Sequence, residues 1–193
     1  MERSKIEFFW DFFKTIAPEI INNPEDLKLI TRLDEEVNKL GEVSWEYGPN
    51  QDDGFYFSLS PNFRFDLIPY TDFIISLSPV IPEWKFISGK PQKLENIEEF
   101  TFVNDDGSET LVNTKNWHAI AYKFKDDTYD IDFILDTNLD TETSYLALNT
   151  AMINLLGEVN YLRKVNEIKI VEKFDSNTNK EGVQFLQLAK IIV

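Results

Sequence analysis

The sequence predicts an α+β fold: an antiparallel sheet of about five to seven strands with helices packed mainly on one face. Apolar residues recur with helical period through the N-terminal part, to about Leu40. From Val43 onward, short runs that alternate apolar and polar residues are separated by turn-forming stretches. Aromatic content is 14 %, with 16 Phe among 193 residues, and such rings carry large buried area. With 42 % hydrophobic residues the chain can build a core without disulfides or metals. No repeat, low-complexity linker or break in composition interrupts it, so residues 1–193 read as a single domain.

Phe8, Phe9, Phe12, Phe13 and Ile16 line one broad side of a first helix that Pro18 should close. In the second helix Asn23 can cap, Pro24 fits the first helical position, and Glu25 and Asp26 suit the positive end of the dipole. Leu27, Ile30, Leu33, Val37 and Leu40 then repeat on one face until Gly41 terminates the helix. Val43, Trp45 and Tyr47 begin a hairpin whose turn is Asn50 to Gly54 and whose return strand is "FYFSLSP". A short helix is expected across Tyr70 to Ser76, bounded by Pro69 and Pro79, followed by a strand in "EWKFISGKP". A further hairpin turns at Asn104-Asp105-Asp106-Gly107. Two adjacent strands, "NWHAIAYKFK" and "YDIDFILD", are joined by Asp126-Asp127-Thr128. A helix over about Glu142 to Leu156 ends at Gly157. "EIKIVEKF" is a strand, residues 175–182 form a polar loop, and the last eleven residues fit either a strand or a short helix.

Net charge is −15, with 19 acids against 10 bases in residues 1–100 and 15 against 9 in residues 101–193. No basic block could neutralise several phosphates, which argues against nucleic acid, and the same repulsion disfavours anionic membranes. There is no Cys, which removes disulfides, thiolate nucleophiles and Cys-based zinc sites. The N-terminus lacks the apolar core of a secretory peptide, and no run of about 18 apolar residues could span a membrane. A cytoplasmic location is the expectation.

The densest acidic chemistry lies between Tyr129 and Glu158. In a strand Asp130 and Asp132 share one face while Ile131 and Phe133 point to the other. Two such carboxylates, with Asp136 as a third, could bridge Mg²⁺ or Ca²⁺. Alternation alone also explains the pattern, with Lys123 and Lys125 of the neighbouring strand as neutralising partners. Asp136, Asn138, Asp140 and Glu142 are spaced like early ligands of a calcium loop, but Thr141 and Ala147 replace the required Gly and Glu. Helix capping by Asp140 or Thr141 accounts for them better. His118, the single histidine, has no G-x-S-x-G elbow to serve, and the seven Gly form no phosphate loop. Glu35 and Glu36 read as the solvated side of their helix. Glu158 reads as structural, capping backbone donors or pairing with Arg163 or Lys164.

At "VIPEWKFISGKP" and "LLGEVNYLRKVNEIKIVE" the chain resembles a group of uncharacterised bacterial proteins. The matching residues are Pro82, Trp84, Phe86 and Pro91, then Leu156, Gly157 and Glu158, within an order of elements from about Ser58 to Phe174. The resemblance implies an α+β fold and supplies no catalytic residues. The preferred functional expectation is a non-catalytic module that binds a basic protein, for example an immunity-type inhibitor, without a cofactor. The alternative is a hydrolase dependent on Mg²⁺ or Ca²⁺ held by Asp130, Asp132 and Asp136.

Overall fold

The computed structural model describes residues 3–50, 54–95, 97–103, 107–175 and 182–192. Residues 51–53, 104–106 and 176–181, parts of two expected turns and of the polar loop, lie outside them. The chain divides into two compact units, Met1–Lys90 and Pro91–Val193, each with its own buried core.

The first unit begins with α1 (Arg3–Asn22) and α2 (Leu27–Asn38). Pro18 does not close α1; it sits inside the helix at an exposed position and the helix runs one turn further. Continuation keeps Ile20 in register with the buried Ile6, Phe9, Trp10, Phe13, Ile16 and Ala17. That burial outweighs the one backbone bond the proline removes. Phe8 is 63 % exposed, because of each adjacent Phe pair the second member lies on the Ile6–Phe13–Ile20 face. In α2 the cap is Asp26, whose carboxylate accepts from Lys28 N at 2.8 Å, after a turn that consumes Pro24 and Glu25. The buried face is accordingly Leu29, Leu33 and Val37, and Leu27 is left 76 % exposed. Each of the three contributes about 1.5–3 kcal/mol by leaving water.

β1 (Ser44–Pro49) and β2 (Phe55–Ser60) form the expected antiparallel hairpin, with Tyr47 opposite Phe57. After a 3₁₀ turn at Phe65–Leu67, α3 (Ile68–Ser76) carries the chain over to β3 (Trp84–Ser88), which pairs parallel to β2. Phe13 reaches Phe57 at 4.8 Å and Trp84 at 5.0 Å between ring centroids, and Trp10 meets Phe86 at 4.8 Å. The last two are edge-to-face contacts of the kind worth about 0.5–1.5 kcal/mol beyond their burial.

The second unit holds the hairpin β4 (Glu99–Val103) and β5 (Glu109–Asn113), then β6 (His118–Lys123) and β7 (Tyr129–Ile134). α4 (Thr141–Leu156) and α5 (Glu158–Lys164) follow, then β8 (Val165–Ile170), the two-residue β9 (Val183–Gln184) and a 3₁₀ helix at Phe185–Lys190. β7 pairs antiparallel with β6 and parallel with β8, while β9 pairs with β6, giving the order β8-β7-β6-β9. Tyr129, Ile131 and Phe133 belong to one core with Ala147, Leu148, Ala151, Met152 and Leu155 of α4 and Phe185 and Leu188 of the 3₁₀ helix. The C-terminal stretch is thus both strand and short helix.

The α+β class holds, but among the described residues the strands form three sheets of three, two and four strands. The single antiparallel sheet of five to seven strands is therefore wrong. The reason is the pair of helical connections, β2–α3–β3 and β7–α4–α5–β8. A helix between neighbouring strands returns the chain to the starting end, so the next strand pairs parallel.

Candidate functional site

The acidic face expected on the second unit's strands is built by β6, β7 and β8. At the β6–β7 turn Phe124 N donates to Thr128 O at 2.8 Å, and Asp126 accepts from the Thr128 hydroxyl at 2.8 Å. Asp127 takes the left-handed conformation at φ 68°, which short acidic side chains tolerate. This turn sets Tyr122 opposite Asp130 and Ile120 opposite Asp132. On the other side of β7, Glu167 lies beside Asp130 and Lys169 beside Asp132. Alternation turns Asp130 and Asp132 away from the core that holds Ile131 and Phe133, and both are half-buried.

The ladder has a cation built into it. Lys169 Nζ lies 2.8 Å from Glu167 Oε2. Its pKa is raised first by that hydrogen bond and also by the charges of Asp132 and Asp130. Tyr122 donates its hydroxyl to Asp132 Oδ2 at 3.1 Å. The expected partners Lys123 and Lys125 do not fill this role. Lys123 lies opposite Tyr129, one residue out of phase with the aspartates, and pairs with Asp127 at 2.5 Å. Lys125 is exposed beyond the strand end.

Asp136 lies past the end of β7, where it accepts from Asn116 Nδ2 at 2.8 Å. Among the described residues no group of three or more His, Asp or Glu side chains could hold a metal ion. Asp130 and Asp132 are brought together on one face, and Asp136 does not join them as a third ligand. The Lys169 ammonium feels both carboxylates, but its ion pair is with Glu167. Asp140 caps α4, accepting from Thr143 N at 3.0 Å and Thr143 Oγ1 at 2.6 Å, and these bonds hold its carboxyl below the usual range. The calcium-like spacing is therefore helix-capping geometry.

His118 is half-buried with Nδ1 3.0 Å from Asn116 O. Its orienting group is a backbone carbonyl, whereas a general base of the Ser-His-Asp kind is oriented by a carboxylate. Asn116 thus links His118 to Asp136. Glu158 is fully buried in the first turn of α5, and Lys164 pairs with Asp127 at 2.7 Å. Gripped by Lys123 and Lys164, Asp127 has its carboxyl pKa lowered to about 2.

In the first unit a cleft of about 390 Å³ opens between α1 and α2, lined by Ser4, Lys5, Phe8, Phe9, Glu36 and Lys39. Glu36 is not on the solvated side of its helix: its side chain is 17 % exposed and pairs with Lys39 at 2.6 Å.

Sequence reasoning missed Lys169, Glu167 and Tyr122 as neighbours of Asp132. The available signal was the helical segment between β7 and β8, which requires parallel pairing and so puts "EIK" beside "DID". No helix of the described residues is long and apolar enough to cross a membrane. No protein-family model, curated protein or solved structure matches the chain.

Proposed function

We propose that the protein is a non-catalytic acidic module that binds a basic protein, an immunity-type inhibitor of a cationic toxin being one concrete form. The observation that carries this reading is the charge balance of the two units. Residues 1–90 hold 16 acids against 9 bases and residues 91–193 hold 18 against 10, so each unit has a surplus of its own. A field of this sign draws cationic surfaces and speeds their association. The resemblance to uncharacterised bacterial proteins, itself a proposal, points to a bacterial source, and the lack of Cys fits a reducing compartment such as the cytoplasm.

The test is association with small basic proteins, lysozyme and cytochrome c among them, followed by surface resonance at about 0.02 M and about 0.5 M ionic strength. Binding at low salt, with an association rate that falls at least about tenfold at high salt, supports the reading. Absence of binding to every basic protein at low salt removes it. The metal-hydrolase alternative gains no support from Asp130, Asp132 and Asp136, because Asp136 lies past the end of β7 on Asn116 and does not join the other two.

A further inference from the structure

The cleft between α1 and α2 has no part in the acidic-module reading, yet it is built like a binding site. Its volume, about 390 Å³, lies in the range of small-molecule pockets. Phe9 belongs to its wall and is only 1 % exposed; its ring packs against Trp10 at 4.9 Å and Phe57 at 5.9 Å between centroids. The core therefore backs this wall, which needs no rearrangement to receive a ligand. Phe8 lines the same cleft with 63 % of its surface open to water. Covering that ring is the apolar gain available to a ligand.

The polar groups of the cleft decide which ligand fits. Glu36 is already engaged: it meets Lys39 at 2.6 Å across one turn of α2, and its side chain is largely buried. Lys5 is not. It lines the cleft, is exposed, and makes no hydrogen bond or ion pair with any described residue. Two lysines against one glutamate give the cleft one positive charge, in a chain that carries −15. The Ser4 hydroxyl adds a neutral donor to the lining. Phenyl walls with one unmatched ammonium complement a molecule that is apolar over most of its length and anionic at one end. A cationic ligand would meet the free ammonium, and a wholly polar anion would leave the rings uncovered.

We infer that this cleft binds a small apolar monocarboxylate, its body against Phe8 and Phe9 and its carboxylate on the Lys5 ammonium. The inference is independent of the acidic-module reading, because the site selects the opposite sign of charge. The field of the whole chain opposes an anion, but at about 0.15 M ionic strength that field is screened beyond about 8 Å, whereas Lys5 acts at contact. A preference for the anion over a matched cation is therefore a local signature, which the net charge cannot produce.

The probes are hexanoate, octanoate and decanoate below their micellar concentrations, with 1-octanol and octylammonium as neutral and cationic counterparts. Binding is followed by chemical-shift mapping on the full chain at about 0.15 M ionic strength. We expect saturable shifts at Ser4, Lys5, Phe8, Glu36 and Lys39, with affinity rising by up to about fourfold per added methylene. Lys5→Gln should weaken octanoate about threefold to fivefold and leave 1-octanol unchanged, while Phe8→Ser should weaken both. Both residues are exposed, so neither variant should move the melting temperature. Absence of saturable shifts at the cleft with all three carboxylates overturns the proposal. So does octylammonium binding as tightly as octanoate, or full octanoate affinity in Lys5→Gln. Saturation by a peptide of alternating glutamate and leucine, but by none of the carboxylates, would assign the cleft to a protein partner and overturn it as well.

Discussion

Gly54 is where the parallel pairing of the first unit begins, and Gly54→Ala tests that pairing. Its φ is +100°, and an added Cβ would lie 2.4 Å from the carbonyl oxygen of Glu83 and 3.1 Å from that residue's Cα and carbonyl carbon. None of these is a flexible side-chain end. Phe55 N donates to Glu83 O at 2.7 Å, and Asn50 N donates to Gly54 O at 2.8 Å, so the segment is pinned on both sides. Glu83 itself adopts φ 68°, which aims its carbonyl into this approach.

The cost has separable parts. An L-residue at this φ costs about 1–2 kcal/mol, and moving packed backbone apart costs about 1–3 kcal/mol. Loss of the Phe55 bond would add about 1 kcal/mol. A total near 4 kcal/mol lowers the melting temperature of a chain of this size by roughly 8–16 °C. Gly41→Ala is the control, because Gly41 has φ +124° and an added Cβ meets nothing within 4 Å. It should lose only the first part. Thermal unfolding followed by circular dichroism and by tryptophan fluorescence reads both variants. If Gly54→Ala costs no more than Gly41→Ala, Glu83 does not approach Gly54, and the register of Phe55 opposite Trp84 is refuted.

Leu33→Ala should cost about 2–5 kcal/mol and Leu27→Ala under about 0.5 kcal/mol, since the first is fully buried and the second largely exposed; equal losses in urea unfolding would reject the assigned face of α2. Pro18→Ala should stabilise by about 1–3 kcal/mol by restoring a helical donor at an exposed site, and destabilisation would contradict an unbroken α1. Asp127 has a folded pKa of about 2. That lies below the unfolded value of about 3.9, so its stabilisation is complete above the unfolded value and lost as pH falls through the folded one. Asp127→Asn should accordingly flatten the acid limb of the stability curve between about pH 4 and pH 2, and a limb of unchanged slope would deny the two lysine contacts. Calorimetric titration should find no saturable Mg²⁺ or Ca²⁺ site, whereas a saturable site abolished by Asp132→Asn would restore the hydrolase reading.

Local chemistry was legible where one residue type had one local job. The β1–β2 and β6–β7 hairpins, the Asp140 cap and the Gly157 stop all follow from short-range rules. Faces were harder to place. Adjacent apolar pairs such as Phe8 and Phe9 fit one helical stripe equally well until packing chooses between them, and Pro18 signals a boundary that the burial of Ile20 overrides. What sequence alone concealed was pairing across distance. The parallel partners Trp84 and Lys169 lie on strands that helices separate in sequence from β2 and β7, so no short-range rule sets them side by side.

That hidden pairing decides how the acidity should be understood. From Asp126 to Glu142 the chain has seven acids and no base, which in one dimension resembles a functional cluster. In the fold Asp126 closes a turn, Asp127 ties that turn to Lys123 and Lys164, Asp130 lies beside Glu167, and Asp132 lies beside Lys169 and accepts from Tyr122. Asp136 takes an asparagine amide, Asp140 caps α4, and Glu142 lies in its first turn. The densest acidic segment is therefore largely occupied with holding the second unit together. A partner would respond instead to the summed field of both units, which acts over about a Debye length and needs no single cluster. Such a field brings a cationic surface close but cannot fix its orientation. Orientation requires rigid, desolvatable contacts in addition to the field.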